Sequence, residues 1–201
     1  MAGAARRLPP RHSPGADAVI FIVVGTHEDP FDRLVRAAEL IAGSGRKVVL
    51  QKGTSQVPSP SCDSVAWMTP EQMEQSFDEA SVVVCHGGPS TIVEAGQHGH
   101  VAIVVPRQAR FAEHVDDHQL RFAQRIADRV RVIEHIQALQ GAILEHEAWA
   151  KGRRPLGCEP ERVARFADGV EAVCTRVIDT PRAPSRVRDR LRALRRWIQA
   201  R

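Results

Sequence analysis

A turn at the start of a predicted helix carries the residues best suited to bind a ligand. A valine-rich run, Ser81 to Cys85, leads into His86 to Glu94 (HGGPSTIVE), and together they predict a strand, a tight turn and a helix. Backbone N–H groups and the positive end of the helix dipole meet at such a turn. Two glycines let an anion approach the backbone, and Ser90 and Thr91 add hydroxyl donors. The expected ligand is therefore a phosphate group.

Glu94 favours a nucleotide over a simple phosphate. A carboxylate this close to an anion repels the ligand unless it holds another part of it. Glu94 lies one helical turn after Ser90 on the same face, where it can accept hydrogen bonds from two ribose hydroxyls. The alternative is a capping box between Thr91 and Glu94 without any ligand. With Pro89 as first helical residue, Gly88 is the cap and Glu94 lies too deep for that role.

The segment His86 to Glu94 resembles the donor site of GT-B glycosyltransferases, which use nucleotide sugars, and is most similar to the MurG-type C-terminal half. The resemblance implies that Glu94 holds the ribose and that Trp67 and Met68 bind uracil. Base stacking on an aromatic ring contributes about 1–3 kcal/mol. The alternative is that Trp67 belongs to the core. The implied diphosphate contacts are Gly25, Thr26, His86, Gly87, Gly88, Ser90 and Thr91.

A second segment, Gly25 to Leu34 (GTHEDPFDRL), lacks the GxGxxG spacing of dinucleotide-binding enzymes. It resembles the start of the catalytic subunits of two-component transferases: the eukaryotic dolichol-linked GlcNAc transferase and bacterial exopolysaccharide and capsule transferases. The resemblance implies a membrane-anchored partner subunit that binds a lipid-linked sugar acceptor. It also implies a cytoplasmic chain held at the inner face of the membrane by that partner. No cofactor is expected beyond the UDP-sugar substrate.

An acidic segment, Glu113 to Gln119 (EHVDDHQ), follows the fifth predicted strand. It resembles the motif that hydrogen-bonds the donor sugar; alternatively, its acidic residues stabilise a helix N-terminus. His114 and His118 stand four apart, as zinc ligands do. We expect a loop-to-helix junction to keep them off a common face, and we predict no metal site. The sugar contacts that the resemblance implies are Asp116, Asp117 and Gln119.

Transfer also needs a base for the acceptor hydroxyl. His27, at the end of the first strand, is the nearby candidate, although related enzymes place the base in an acceptor domain that we expect this chain to lack. Amides and hydroxyls at the turn would stabilise the departing diphosphate and make a metal dispensable. We expect the chain alone to bind donor but turn over poorly. Two other classes fit the same residues: a nucleotide-binding regulatory subunit without transfer, and a GT-B-type nucleotide-sugar epimerase.

Strand and helix patterns alternate along the chain and predict how these residues are positioned. We expect an α/β fold: a single Rossmann-like, doubly wound parallel sheet over residues 18–178, with ligand at the carboxyl ends of the strands. Asp29 is predicted to cap the first helix, with Pro30 at its first position. Leu120, Ala123 and Ala127 are predicted to face inward from a later helix. The main predicted strands end near 24, 51, 68, 85, 105 and 133.

Composition excludes several function classes. A chain of 201 residues can bury one substantial core. The net charge of +4 comes from arginine, tyrosine is absent, and basic and aromatic residues do not alternate, which argues against nucleic acid. Four cysteines without CxxC spacing fit a reduced compartment better than disulfides or zinc. No apolar run approaches the roughly 20 residues needed to span a bilayer.

Two tails lie outside the predicted domain. Residues 1–17 are basic and proline-rich and lack the apolar core of a signal peptide, so we interpret them as a disordered lead. Residues 179–201 combine many arginines with apolar residues one turn apart and Trp197. This pattern indicates a basic amphipathic helix that contacts anionic lipid or a partner groove. The alternative is a solvated helix.

Overall fold

The computed structural model describes residues 18–157, together with the isolated positions 172 and 196. Residues 18–157 belong to the first of two compact units, which ends at Cys158. The spacing of Val163, Phe166 and Val170 predicts a further helix from Glu161. That helix, the predicted lead and the predicted C-terminal amphipathic helix lie outside the described residues. Within the described part of the chain, no helix combines the length and the apolar character needed to cross a bilayer.

Six parallel strands form one sheet in the order β3-β2-β1-β4-β5-β6. This confirms the predicted α/β class with a parallel sheet. The strands are β1 Val19–Val23, β2 Lys47–Gln51, β3 Asp63–Val65, β4 Val82–Cys85, β5 Ile103–Val104 and β6 Arg131–Val132. The helices are α1 Asp32–Gly43, α2 Pro70–Glu79, α3 Pro89–Gln97, α4 His118–Arg125, α5 Leu139–Leu144 and α6 His146–Ala150.

Helices cover both faces of the sheet, and β1 shows why. Ile20 and Ile22 pack into a core with α1 and α5, while Phe21 and Val23 pack into a second core with α2, α3 and α4. Each of the four is at most 2% exposed. A strand buried on both faces needs apolar residues at successive positions rather than at alternate ones, which is why the run predicts a strand.

The crevice of the sheet lies between β1 and β4. The register pairs Val23 with Gln51 and with Cys85, so β1, β2 and β4 end at the same level. From β1 the chain continues to β2 on one side, whereas from β4 it continues to β5 on the other. The loops that follow β1 and β4 therefore diverge, and in open α/β sheets ligands bind at such a point.

The start of α1 was predicted wrongly. α1 begins at Asp32, and its N-cap is Phe31, which makes no side-chain cap bond. Asp29 was expected to cap the helix, but its backbone N–H donates to Nδ1 of His27 at 3.1 Å. This local bond holds Asp29 and Pro30 in the loop after β1.

The start of α4 was also placed too early. The segment that starts at Glu113 is predicted to open this helix, but α4 begins at His118, because the Glu113 carboxylate forms a two-pronged ion pair with Arg33 at 2.8 and 2.9 Å. A contact between residues 80 positions apart in sequence therefore overrides the local helix signal. Ala127 lies beyond the end of α4 and is exposed, which corrects its predicted inward position.

Other elements are shorter than predicted. β5 spans two residues instead of 101–105, because β4 and β6 each pair with only those two. The sequence also predicts one helix from His135 to about His146. The structure has instead a 3-10 turn, Ile136–Ala138, and the separate helices α5 and α6. β3 ends at Val65, so Trp67 follows the strand.

α2 begins with a capping box. The Thr69 hydroxyl accepts from the Gln72 backbone N–H at 3.3 Å, and the Gln72 side chain accepts from the Thr69 N–H at 2.8 Å. This reciprocal pair fixes the chain directly after Trp67 and Met68.

We expect Thr69→Ala to lower the free energy of unfolding by about 1 kcal/mol, because an N-terminal amide of α2 loses its acceptor. Urea denaturation of the full chain measures this change. Thr69→Ser keeps the hydroxyl and serves as the control. Equal stability of the alanine and serine variants would show that the cap contributes nothing.

Candidate functional site

A cleft of about 230 Å³ opens at the carboxyl ends of β1, β2 and β4. It brings together residues predicted to bind diphosphate, ribose and uracil, which come from three separate segments of the chain. Gly87 and Gly88 were predicted with them but do not line the cleft. The lining residues are Val23, Gly25, Thr26, Gln51, Trp67, Met68, Met73, His86, Ser90, Thr91 and Glu94.

The glycines around the cleft make room for protein side chains. A Cβ at Gly25 would lie 2.5 Å from the His86 ring, and one at Gly88 would collide with the same ring. A Cβ at Gly87 would lie 2.7 Å from the Cβ of Gln119. We had predicted that Gly87 and Gly88 leave space for an anion. The Cβ side of each glycine is occupied by the imidazole or the glutamine, so both glycines serve packing, and their contact with an anion stays a prediction.

His86 is neutral at pH 7. Burial lowers its pKa to about 4, and the nearby positive charge of Arg107 acts in the same direction. Its Nδ1 is buried and has no hydrogen-bond partner among the described residues. The ring therefore contributes polar atoms and shape to the cleft but no charge.

The N-terminus of α3 has the predicted form. Pro89 is the first helical residue, and Gly88 is the N-cap with no side-chain cap bond. The capping box between Thr91 and Glu94 is thus absent. The first-turn amides of a helix have no intrahelical acceptor. With Ser90 exposed and both hydroxyl residues lining the cleft, α3 presents a row of donors to it.

Glu94 is partly buried at the cleft and accepts no hydrogen bond from a described residue. Burial raises its pKa, while His98 lowers it and Glu74 raises it further. A partly desolvated carboxylate without a donor is unfavourable in the unliganded protein. Such perturbed groups in clefts are characteristic of ligand sites.

Trp67 is 51% exposed and lines the cleft, so the alternative that it belongs to the core is wrong. Its position depends on Gln51, a site residue that the sequence analysis missed. The buried Gln51 amide donates to the carbonyl of Ala66 at 3.0 Å, and its oxygen accepts from the Gly25 N–H at 3.2 Å. The only sequence signal is a glutamine at the end of an apolar strand.

Arg107 was also missed. It is 1% exposed and donates to three backbone carbonyls, those of Val24, Asp29 and Glu113, at 2.8–3.1 Å. Its guanidinium lies 4.7 Å from the centre of the Phe31 ring. These contacts tie the loop after β1 to the loop after β5 and place a fixed positive charge near the cleft.

The predicted sugar residues hold backbone rather than line the cleft. The Gln119 oxygen accepts from the N–H groups of Gly87 and Arg107, at 3.2 and 3.3 Å. Asp117 accepts from the Ala109 N–H at 2.8 Å. Contacts of these residues and of Asp116 with a sugar remain predictions.

Two histidines that we expected to be separated lie side by side. The rings of His114 and His118 are 4.4 Å apart, and the His27 ring is 4.3 Å from that of His114. His27 accepts a hydrogen bond from Asp29 at Nδ1. A neutral imidazole with that acceptor carries its proton on Nε2, so this geometry does not favour His27 as a general base.

The fold and the cleft place this chain among the Rossmann-like α/β domains whose ligand crevice lies where the strand order reverses. The model of the family "Glycosyltransferase family 28 C-terminal domain" matches residues 19–150. The chain belongs to this family. The predicted resemblance to a MurG-type, GT-B C-terminal half is confirmed.

This chain matches less than half the length of each known protein described next. A relative from Paracidovorax citrulli (strain AAC00-1), the UDP-N-acetylglucosamine--N-acetylmuramyl-(pentapeptide) pyrophosphoryl-undecaprenol N-acetylglucosamine transferase, is 34% identical over 105 residues. That match covers 48% of this chain and 28% of the relative. The structure of the kitacinnamycin glycotransferase is 19% identical with a TM-score of 0.48. That match covers 100% of this chain and 43% of the glycotransferase. The structure of the calicheamicin glycosyltransferase CalG4 is 16% identical with a TM-score of 0.47. That match covers 94% of this chain and 40% of CalG4.

We expect His86 to weaken the fold at acidic pH. The unfolded chain binds the proton below about pH 6.5, whereas the folded chain binds it only near 4. Stability is therefore lost progressively between these values, by up to about 3 kcal/mol. Urea unfolding measures the free energy of unfolding across this pH range, and this free energy should vary less with pH in His86→Gln than in the unchanged chain. The exposed residue His135 gives the control His135→Gln, and identical pH dependence in both variants would contradict the assignment.

Proposed function

We propose that this chain is the donor-binding part of a UDP-sugar glycosyltransferase. In this proposal it transfers a hexosyl group to a polyprenyl-diphosphate-linked sugar, together with a membrane-anchored partner subunit that binds the acceptor, in exopolysaccharide, capsule or lipid-linked oligosaccharide synthesis. The observation that carries it is the composition of the cleft: an exposed indole at one part, and at another hydroxyls, a helix N-terminus and a carboxylate that accepts no hydrogen bond from a described residue.

The uridine would lie against Trp67. Half of this side chain is exposed although it lines a cleft, which leaves an aromatic surface for a planar base. Met68 and Met73 add polarizable apolar surface beside it. Stacking of a base on an aromatic ring contributes about 1–3 kcal/mol and does not depend on charge.

The diphosphate would lie at the N-terminus of α3. Ser90, Thr91 and Thr26 supply hydroxyl donors, and the helix dipole supplies positive potential. Arg107 adds a full charge that is fixed by three carbonyls, so it needs no rearrangement as negative charge develops on the leaving group. The donors therefore favour departure of UDP from the sugar.

The ribose would be held by Glu94. Its carboxylate lacks a donor in the described structure and can accept from two neighbouring hydroxyls. Binding a diol at this position offsets the unfavourable burial that raises the pKa of Glu94. A purely structural role would require a partner within the protein.

The acceptor side of the proposal rests on different support. The relative from Paracidovorax citrulli is named as a transferase that acts on a pyrophosphoryl-undecaprenol sugar, and this chain matches 28% of it. The segment Gly25 to Leu34 resembles catalytic subunits that act with a separate membrane-anchored subunit. The base for the acceptor hydroxyl would then come from that partner.

We expect Glu94→Gln and Trp67→Ala to weaken binding of UDP to the full chain. Loss of stacking alone corresponds to roughly 5- to 150-fold for Trp67→Ala. Isothermal titration calorimetry measures the affinity of both variants for UDP. Trp67→Phe retains an aromatic face, and Glu147→Gln makes the same chemical change at an exposed residue of α6, so both controls should bind UDP more tightly than the matched test variants. Undiminished binding by Glu94→Gln and Trp67→Ala would refute the assignment of the cleft.

We expect the full chain alone to bind UDP-sugar but to transfer it slowly to a polyprenyl-diphosphate-linked acceptor. Addition of membranes from the source cells, as the supply of the partner, should raise the transfer rate. Fast transfer by the chain alone would overturn the requirement for a partner. Epimerised sugar formed without acceptor would indicate an epimerase, and UDP binding without any transfer would indicate a regulatory subunit.

A further inference from the structure

Three side chains with metal-binding atoms converge just before α4. We call His114, Asp116 and His118 the histidine cluster. One ligand atom from each can be chosen so that all lie within 4.8 Å of one another. Both imidazoles direct Nδ1 at the same oxygen, Oδ1 of Asp116, which lies 2.5 Å from His118 and 3.9 Å from His114.

His114 is the unusual member of the cluster. Its Nδ1 is buried, and the 3.9 Å separation from Asp116 is too long for a hydrogen bond. No other described residue provides a partner for this atom. Buried polar atoms nearly always have a partner, and a cation between this nitrogen and the carboxylate would provide one for both.

Surrounding contacts already orient the three ligands. The His114 ring packs between those of His27 and His118, at 4.3 and 4.4 Å. Oδ2 of Asp116 accepts from Arg121 at 3.4 Å, which leaves Oδ1 directed at the histidines. Such outer contacts commonly hold metal ligands in position.

We propose that the histidine cluster binds a divalent transition-metal cation, with zinc as the best fit. Two imidazoles and one carboxylate suit zinc and similar cations, whereas Mg²⁺ and Ca²⁺ prefer oxygen ligands only. Three protein ligands leave a coordination position for water or substrate. The inference reverses our expectation of no metal site, and it is independent of the proposed function because it requires no nucleotide.

The site lies beside the candidate nucleotide cleft. His118 directly precedes Gln119, whose side chain accepts from the Gly87 N–H of the turn before α3. Arg121 opposes cation binding by its charge, so we expect moderate affinity rather than that of a closed structural zinc site.

Zinc titrated into the full, untagged chain should bind at a single saturable site by isothermal titration. His114→Ala and His118→Ala should each weaken binding by at least about tenfold. His135→Ala, which removes an exposed histidine elsewhere, should bind as the unchanged chain does. Zinc should also raise the thermal midpoint of the unchanged chain more than that of the cluster variants.

Asp116→Asn tests the proposal if the histidine variants fail to fold. This near-isosteric variant should stay folded and lose zinc affinity, because a neutral amide is a weaker ligand than a carboxylate. Cobalt substituted for zinc should show no thiolate charge-transfer band, since no cysteine belongs to the cluster. Absence of saturable zinc binding, equal binding by Asp116→Asn, or a thiolate band would each overturn the proposal.

Discussion

The site depends on how closely two loops pass at the centre of the sheet. β1 and β4 are hydrogen-bonded neighbours, so the chains leaving them start about 4.8 Å apart. The His86 ring lies across both loops, against Gly25 on one side and Gly88 on the other. No side chain fits at either glycine without moving the ring. This packing fixes the separation of the loops, and with it the width of the cleft where α3 begins.

Neutral amide side chains then hold these loops in place through hydrogen bonds. Gln51 donates to the carbonyls of Gly25 and Ala66, and a carboxylate in its place would face two carbonyl oxygens. Gln119 accepts from Gly87 and Arg107 with one oxygen. Amides provide both donor and acceptor atoms without the desolvation cost of a buried ion. Among the described residues that line the cleft, Glu94 carries the negative charge, and Arg107 places a charge of opposite sign near it.

Local signals explain which parts of this arrangement can be predicted from the sequence. The end of β2 and the start of α3 follow from an apolar run and from a proline with fixed φ, and both match the structure. Glu94 was found from its position one helical turn after Ser90 and Trp67 from the resemblance, and the structure places both at one cleft.

Long-range contacts explain what could not be predicted. Arg107 bonds to Val24 across 83 positions, and Glu113 pairs with Arg33 across 80, so no window of sequence contains either interaction. The pair formed by Glu113 delays the start of α4, and the loop that results brings His114 beside His118. The two histidines were expected to be separated because a loop-to-helix junction lies between them, yet the loop places their rings 4.4 Å apart. A distant ion pair therefore decides the local geometry of a cluster that the sequence analysis had set aside.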